Sequence, residues 1–387
     1  MNESVLVCGC GRIGSPLLTF LASKGFNAYG VDVDNNIMGK ITARFKEEGW
    51  QEMLDKLGDN VPSIYSYEGI SGTNFDVCII TCGTPVDSNQ NPDTSQLTAC
   101  ADSLISHGLI DEDTLVILRS TIFPGGTRWL QRYIKDKHDL KLNMIFCPER
   151  IAEGYTFKEL EGLPQIIAGD NFAVLTEAED FFKKFSSDIQ ILRPSDGGTT
   201  AGELAKLMCN VWRYITFATA NEFSMMCDSN NVNFNAVRRA VNTNYNRAEI
   251  PMAALNLGGP CLGKDAKILS AFSSIDEITE AAYKVAEKTC IHYINKYRKD
   301  IPHMNVAILG LGFKPGSDNN MNSLSYKAIK HLEIIGAKSI VTYDPFISHK
   351  KYGVALHRAL RADLIIVMTE HPEFKDLQFD GARVIRL

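Results

Sequence analysis

The sequence predicts an α/β chain: two Rossmann-like parallel-sheet domains joined by a long central helix. Three observations predict it. The N-terminus reads strand, glycine-rich turn, helix, strand, acid. Residues 199–227 then form an unbroken helical pattern. At Asn305 a strand running into glycines starts the first pattern again. With 387 residues, two or three domains are expected at roughly 100–200 residues each.

The first element, Ser4–Cys8, is a short apolar run, as a buried parallel strand requires. Gly9-Cys10-Gly11-Arg12-Ile13-Gly14 follows, then a helical run through Leu21. A second strand, Ala28–Val31, ends in Asp32-Val33-Asp34. In this G-x-G-x-x-G, Gly9 permits the tight turn and Gly11 admits a pyrophosphate to the backbone. Gly14 lets helix and strand pack closely, and the helix N-terminus attracts phosphate. Asp32 lies 18 positions after Gly14, placed to accept from a ribose hydroxyl. The pattern indicates a dinucleotide site that prefers NAD, because a 2′-phosphate would meet the Asp32 carboxylate; the alternative is a purely structural turn. Arg12 and Arg44 are the residues able to soften that preference.

Residues 35–70 are mixed and polar, helical in part. Strands are expected at 76–82, 114–119, 143–148, 165–169 and 188–192, with a helix at 172–185. The second of these strands to end in hydroxyls runs into Ser120-Thr121, as the first runs into Thr84-Pro85. Carboxyl ends of this kind line the ligand crevice of an open α/β sheet. Simple turn chemistry is the competing reading of both loops.

The 199–227 helix is apolar on much of its circumference, so it is expected to be buried, between domains or across a dimer interface. Lys206 and Asn210, four apart, share a face. Lys206 is either a functional cation or a solvated, paired lysine. Next comes Gly258-Gly259-Pro260-Cys261-Leu262-Gly263-Lys264-Asp265, read as a tight loop presenting one thiol with a carboxylate nearby. A turn with an incidental buried cysteine competes with that reading. A helix at 276–298 precedes the second unit: strand 306–314, helix 323–335, strands 338–343 and 363–368. Its turn has no third glycine at position 315.

The net charge of −6 argues against a nucleic-acid or membrane-surface protein. No stretch reaches the roughly 18 apolar residues of a membrane span. The first residues do not read as a signal peptide, so a cytoplasmic protein with ten reduced cysteines is expected. Cys8-x-Cys10 and Cys78-xxx-Cys82 lack a second pair at zinc-like spacing and read as core; no metal is expected.

The motifs, in this order, resemble the UDP-glucose and GDP-mannose dehydrogenases, the nucleotide-sugar 6-dehydrogenases. The resemblance runs through the G-x-G-x-x-G with Asp32, Thr-Pro at 84–85 and Ser-Thr-x-x-Pro-Gly at 120–125. It continues through Pro-Glu at 148–149, Glu203-x-x-Lys206-x-x-x-Asn210, Asn221-Glu222, the cysteine motif at 258–265 and Gly-x-x-Phe-Lys-Pro at 310–315. It implies oxidation of the C6 alcohol of a nucleotide sugar to a carboxylate with two NAD⁺. By the same resemblance Cys261 is the nucleophile, and Asp265 and Lys206 hold the base or water. Lys206 and Asn210 stabilise oxyanions, and Thr121 and Glu153 orient the hydrolytic water. Gly9, Gly11, Arg12, Ile13, Gly14, Asp32, Thr84, Pro85, Ser120 and Thr121 hold NAD. Lys206, Asn210, Arg247, Gly258, Phe313 and Lys314 contact the substrate. The domains implied are 1–198 for NAD, 199–300 for a central helical dimerisation region with the cysteine loop, and 301–387 for the nucleotide sugar. A homodimer is implied, with Arg247 reaching the neighbouring subunit's substrate.

Three departures bear on the substrate. Asp318-Asn319-Asn320-Met321 stands where the family often has Asp-Asp-x-Arg, so Met321 replaces an expected arginine. Pro-Glu-Arg-Ile-Ala-Glu-Gly differs from the Pro-Glu-Phe-Leu-Arg-Glu common among UDP-glucose enzymes. Residues 250–257 lack the proline-glycine pair of many relatives. UDP-glucose is the first expectation, with a UDP-N-acetylhexosamine or GDP-mannose as alternatives. A single-step hydroxyacid dehydrogenase and a nucleotide-sugar-binding protein without turnover are the readings from other classes.

Overall fold

The computed structural model describes residues 3–34, 36–37, 39–40, 48–87, 91–379 and 381–387; Arg44 lies outside the described residues. The chain divides into two compact units, Met1–Met208 and Cys209–Leu387.

In the first unit, strands β1 Ser4–Cys8, β2 Asn27–Val31, β3 Gly39–Lys40, β4 Ser63–Tyr65, β5 Val77–Ile80, β6 Leu115–Leu118, β7 Asn143–Phe146, β8 Gln165–Ala168 and β9 Ile189–Leu192 form one sheet. Its order is β3-β4-β2-β1-β5-β6-β7-β8-β9. Helices α1 Gly14–Ser23, α2 Trp50–Leu57, α3 Ser95–Ser106, α4 Gly126–His138, α5 Thr156–Gly162 and α6 Phe172–Lys183 connect the strands. The strand order reverses between β1 and β5, which pair in parallel, Val5 against Val77. That reversal is where an open α/β sheet leaves a crevice for a ligand.

The central strands are apolar on both faces because helices cover both. Val5, Val7, Ile79 and Ile117 face one core and Leu6, Cys8, Ile80 and Leu118 the other. Each is shut off from water, and burying a side chain of this size stabilises by about 1.5–3 kcal/mol. The sheet is mixed rather than wholly parallel: β3 runs antiparallel to β4, and β8 to β7. The 35–70 segment adds strands β3 and β4 to the helix expected there; pieces of two and three residues leave no readable alternation.

Helix α7, Thr199–Ser229, links the sheets and runs through the boundary of the units. The sequence marks it as buried, yet Met208, Trp212, Phe223 and Met226 are exposed, Trp212 by 70%. No helix among the described residues is long and apolar enough to cross a membrane.

The second unit continues with α8 Phe234–Asn242, α9 Leu262–Ala271 and α10 Glu277–Asn295. Strands β10 Asn305–Leu309, β11 Ser339–Tyr343, β12 Leu364–Val367 and β13 Arg383–Ile385 form a parallel sheet in the order β11-β10-β12-β13, with helices α11 Ser325–Ile335 and α12 Leu356–Ala359. Here the order reverses between β10 and β12. Cys261 begins a helix: its carbonyl accepts from Asp265 N at 2.8 Å, so Leu262–Asp265, expected as loop, are the first turn of α9. The Gly-Pro signal breaks the chain before the cysteine and not after it.

Candidate functional site

In the first unit the glycine turn leaves β1 with Gly9 at φ +88°, a conformation that glycine adopts without penalty. A methyl on Gly14 would overlap the Gly9 carbonyl oxygen and Thr81 Oγ1. Gly11 has nothing within 4 Å of where a Cβ would stand, which leaves room for a ligand against the backbone. Helix α1 starts at once, with Ile13 as N-cap and no side chain capping it. Asp32 closes the crevice at the end of β2. Its Oδ2 accepts from Cys10 N at 2.7 Å and its Oδ1 from Asp34 N at 2.9 Å. A carboxylate has about four lone-pair sites, so acceptors remain for a ribose hydroxyl.

The loops after β5 and β6 meet beside this turn. Thr84 Oγ1 donates to the Thr121 carbonyl, and Ser120 Oγ donates to Cys82 O at 2.7 Å. Pro85 is exposed in the same loop. Arg12 Nη1 reaches Glu153 Oε1 at 3.2 Å, so a residue expected at the cofactor and one expected at the water form an ion pair. The Arg12 charge is thus turned to a carboxylate.

Four residues before Glu153 stands Glu149, paired with Arg119, and the sequence assigns neither a role. Arg119, 3% exposed, donates to Glu149 Oε2 from Nη2 at 2.6 Å and from Nε at 3.1 Å. Glu149 Oε1 accepts from Arg150 N at 2.8 Å and Ile151 N at 3.0 Å. The Glu149 carbonyl accepts from Lys206 Nζ. The buried ion pair therefore sets both the loop that carries Glu153 and the acceptor that holds Lys206. One turn before Lys206, Glu203 accepts from Gly125 N at 2.5 Å and Thr127 N at 2.7 Å, filling the open N-terminus of α4. Burial pushes the Glu203 carboxyl up, against the pull of those N–H groups.

In the second unit Asn210 Nδ2 donates to Asp265 Oδ2 at 2.6 Å. Lys264 Nζ stands 2.9 Å from Asp265 Oδ1, out of line for a hydrogen bond. Asp265 is buried, while Cys261, one helical turn earlier at the N-cap, is exposed. The glycines before it are forced. A Cβ on Gly258 would strike Asn322 O, and Gly259, at φ +106°, lies against the Phe313 ring. Gly259 N donates to Asn322 O at 3.2 Å. Lys314 Nζ sits 5.8 Å from the centre of the Phe313 ring.

Asp344, at the end of β11, holds the turn that carries Phe313. Its Oδ2 accepts from Leu311 N at 2.6 Å and Gly312 N at 3.0 Å, and from His371 Nε2 at 3.1 Å. His371 Nδ1 accepts from Gly316 N at 3.2 Å, which assigns the proton to Nε2. Burial alone would raise the Asp344 carboxyl, but the imidazole and the backbone N–H groups outweigh it and hold it at about 2. Arg247 is not drawn to the cysteine loop; it is exposed, its guanidinium 5.7 Å from the Tyr245 ring. Met321 is exposed as well.

Residues 3–186 match the NAD binding domain of the UDP-glucose/GDP-mannose dehydrogenase family, residues 200–289 its central domain and residues 307–385 its UDP binding domain. The chain belongs to the UDP-glucose/GDP-mannose dehydrogenase family. As a member it is an NAD-dependent nucleotide-sugar dehydrogenase whose substrate is a UDP-sugar. It is 30% identical to the UDP-N-acetyl-D-mannosamine dehydrogenase of Pyrococcus horikoshii, over 97% of this chain and 91% of that one. The solved structure of UDP-D-ManNAc dehydrogenase from that organism superposes with a TM-score of 0.85 at 28% identity, over 97% of this chain and 91% of that one. A UDP-N-acetyl-D-mannosamine dehydrogenase of Campylobacter jejuni is 26% identical over 98% of each chain. The UDP-glucose dehydrogenase structure from Pyrobaculum islandicum has the same fold, with a TM-score of 0.85 at 22% identity over 100% of this chain and 94% of that one.

Proposed function

We propose that this family member oxidises C6 of UDP-N-acetyl-D-mannosamine to the carboxylate, in preference to UDP-glucose. The supporting observation is the full-length match to proteins of that name, at up to 30% identity. The residue roles follow the family resemblance and the geometry together. The open Gly11 backbone, the uncapped start of α1 and Asp32 fit a dinucleotide. Bound NAD⁺ supplies the hydride acceptor for each oxidation.

The C6 hydroxyl gives its proton to a base or water held by Asp265 and Lys206 as its carbon loses hydride, which makes an aldehyde. Cys261 sulfur adds to that carbonyl carbon and the oxygen takes a proton, giving a thiohemiacetal. Loss of hydride and the hydroxyl proton leaves a thioester. Water oriented by Thr121 and Glu153 then adds, the C–S bond breaks, and the acid leaves with the Cys261 thiol restored. Asn210 and Lys206 stabilise the oxyanion each time. The covalent thioester keeps the aldehyde from escaping.

The work is divided among residues 1–198, 199–300 and 301–387. The exposed apolar side chains of α7 are the surface for a second copy, with Arg247 reaching the neighbouring site.

The test is NADH release at 340 nm against UDP-N-acetyl-D-mannosamine, UDP-N-acetyl-D-glucosamine, UDP-glucose and GDP-mannose. Two NADH per UDP-N-acetyl-D-mannosamine, with the highest kcat/KM of the panel, is expected. A higher kcat/KM for UDP-glucose would overturn the choice of sugar.

A further inference from the structure

We propose that Asn256 is a positioning residue for the Cys261 thiol. It ties the cysteine loop to the glycine turn of the UDP binding domain, so that the seat of the nucleotide and the nucleophile form one rigid piece. The inference rests on the thiol chemistry proposed above.

Asn256 stands between Leu255 and Leu257 in a buried apolar run and is itself 7% exposed. A polar side chain there costs free energy unless fully bonded. Its Nδ2 lies 2.9 Å from Gly312 O, 2.9 Å from Ser323 Oγ and 2.8 Å from Thr369 Oγ1, with Ser325 Oγ at 3.4 Å. Its Oδ1 accepts from Leu324 N at 2.7 Å. Thr369 Oγ1 donates onward to Gly312 O at 2.6 Å, and Ser325 Oγ to Gly310 O at 2.8 Å. Gly310–Gly312 is the turn after β10, and Thr369 follows β12. The side chain is therefore clamped at the order reversal of the second sheet, where a ligand crevice forms.

Four residues separate this clamp from Cys261, and they have little freedom. Gly258 abuts Asn322 O, and Gly259 N is bonded to it. An apolar residue at 256 would suit the surrounding run as well. What the amide adds is one register, because any shift would leave several buried polar groups unpaired. Register matters more to the thiol than to the first hydride transfer. Sulfur must stand within about 3–3.5 Å of the aldehyde carbon, and a misplacement of about 1 Å costs on the order of 100-fold.

Asn256→Ala is thus expected to slow aldehyde oxidation about 10- to 100-fold while UDP affinity by calorimetry stays within about threefold. NADH per sugar nucleotide, with the best substrate of the panel, falls from two toward one, and hydroxylamine traps the escaping aldehyde as an oxime seen by mass spectrometry. Thr369→Val, which removes one acceptor without touching the cysteine segment, shifts the stoichiometry the same way by less. Asn256→Asp, which keeps the Leu324 acceptor, lies between wild type and alanine. A purely structural residue would lower both oxidations together. Two NADH per sugar with no trapped aldehyde in Asn256→Ala, or in Thr369→Val should the first not fold, overturns the inference. Cys261→Ser run in parallel separates the readings. If it still forms acid, the thiol mechanism falls and this inference with it. If it forms none while Asn256→Ala still takes two NADH, only this inference falls.

Discussion

The two sheets end their second strands alike and use the ending differently. Asp32 and Asp344 each follow a strand beside a glycine turn, and each accepts from that turn's backbone. In the first unit the helix begins five residues after Gly9, and Asp32 takes two N–H groups, which leaves lone pairs for a ligand. In the second, the helix begins fifteen residues after Gly310, and the acid must hold the longer loop itself. Asp344 takes four N–H groups and an imidazole. One acid keeps acceptors open at the crevice; the other is spent on architecture. The glycine turn of a βαβ unit thus says little about binding until the length of chain before the helix is known.

The sharpest break of this comparison is a pair of substitutions. Asp344→Ala leaves buried N–H groups and His371 without their acceptor and is expected to cost about 3 kcal/mol of stability in urea denaturation. Asp32→Ala costs about 1 kcal/mol, but its main effect is on the cofactor: KM for NAD⁺ rises about tenfold and NADP⁺ gains relative to NAD⁺. Equal stability losses with unchanged cofactor preference would show the two acids to be equivalent.

Glu149→Gln comes next. It keeps the shape of the side chain but leaves Arg119 buried without its counter-charge, and it loosens the carbonyl that holds Lys206. We expect kcat to fall on the order of 100-fold, with KM for NAD⁺ nearly unchanged. Loss confined to KM would place the pair outside the reaction.

The smallest effect is in pH, and its sign differs between the units. Asp344 is held at about 2, below its unfolded range near about 4, so its stabilisation is full above that range and is lost as pH falls through 2. Glu203 is raised by burial, so its contribution is full below the usual glutamate value near about 4.3 and fades as pH rises through the raised one. Hydrogen exchange followed peptide by peptide between pH 6 and pH 3 is expected to show 310–347 losing protection while 199–208 does not. Asp344→Asn flattens the first trend and Glu203→Gln removes the second. Parallel loss in both segments would deny the opposed tuning.

The legible parts of this protein were those whose signal is local. The run from Ser4 to Asp32 changes hydrophobic period from strand to helix and back within thirty residues, and its glycines fall where the backbone needs them. The strands left unread were short, such as β4 and β13, and helices α3 and α4 were left unread as well. Among the candidate site residues, Lys206, Asn210, Cys261 and Asp265 are named by an ordered family pattern, and the structure adds the Asn210–Asp265 bond. Arg119, Glu149 and Asn256 carry a fainter mark, a polar or charged group in or beside an apolar run. Arg119 meets Glu149 across 30 positions and Asn256 meets Thr369 across 113, so the meaning of that mark is written only in the folded chain.

Gly259 has a bearing on how this protein can be altered. Its backbone at φ +106° disfavours any side chain, and the Phe313 ring lies 2.6 Å from where the first carbon would go. Two independent vetoes fall on one position. A library built to change the sugar gains nothing by varying 259 and loses the fraction of clones that do. Variation is better placed at Met252 and Ala254, exposed positions ahead of the Asn256 clamp, where diversity meets no left-handed backbone.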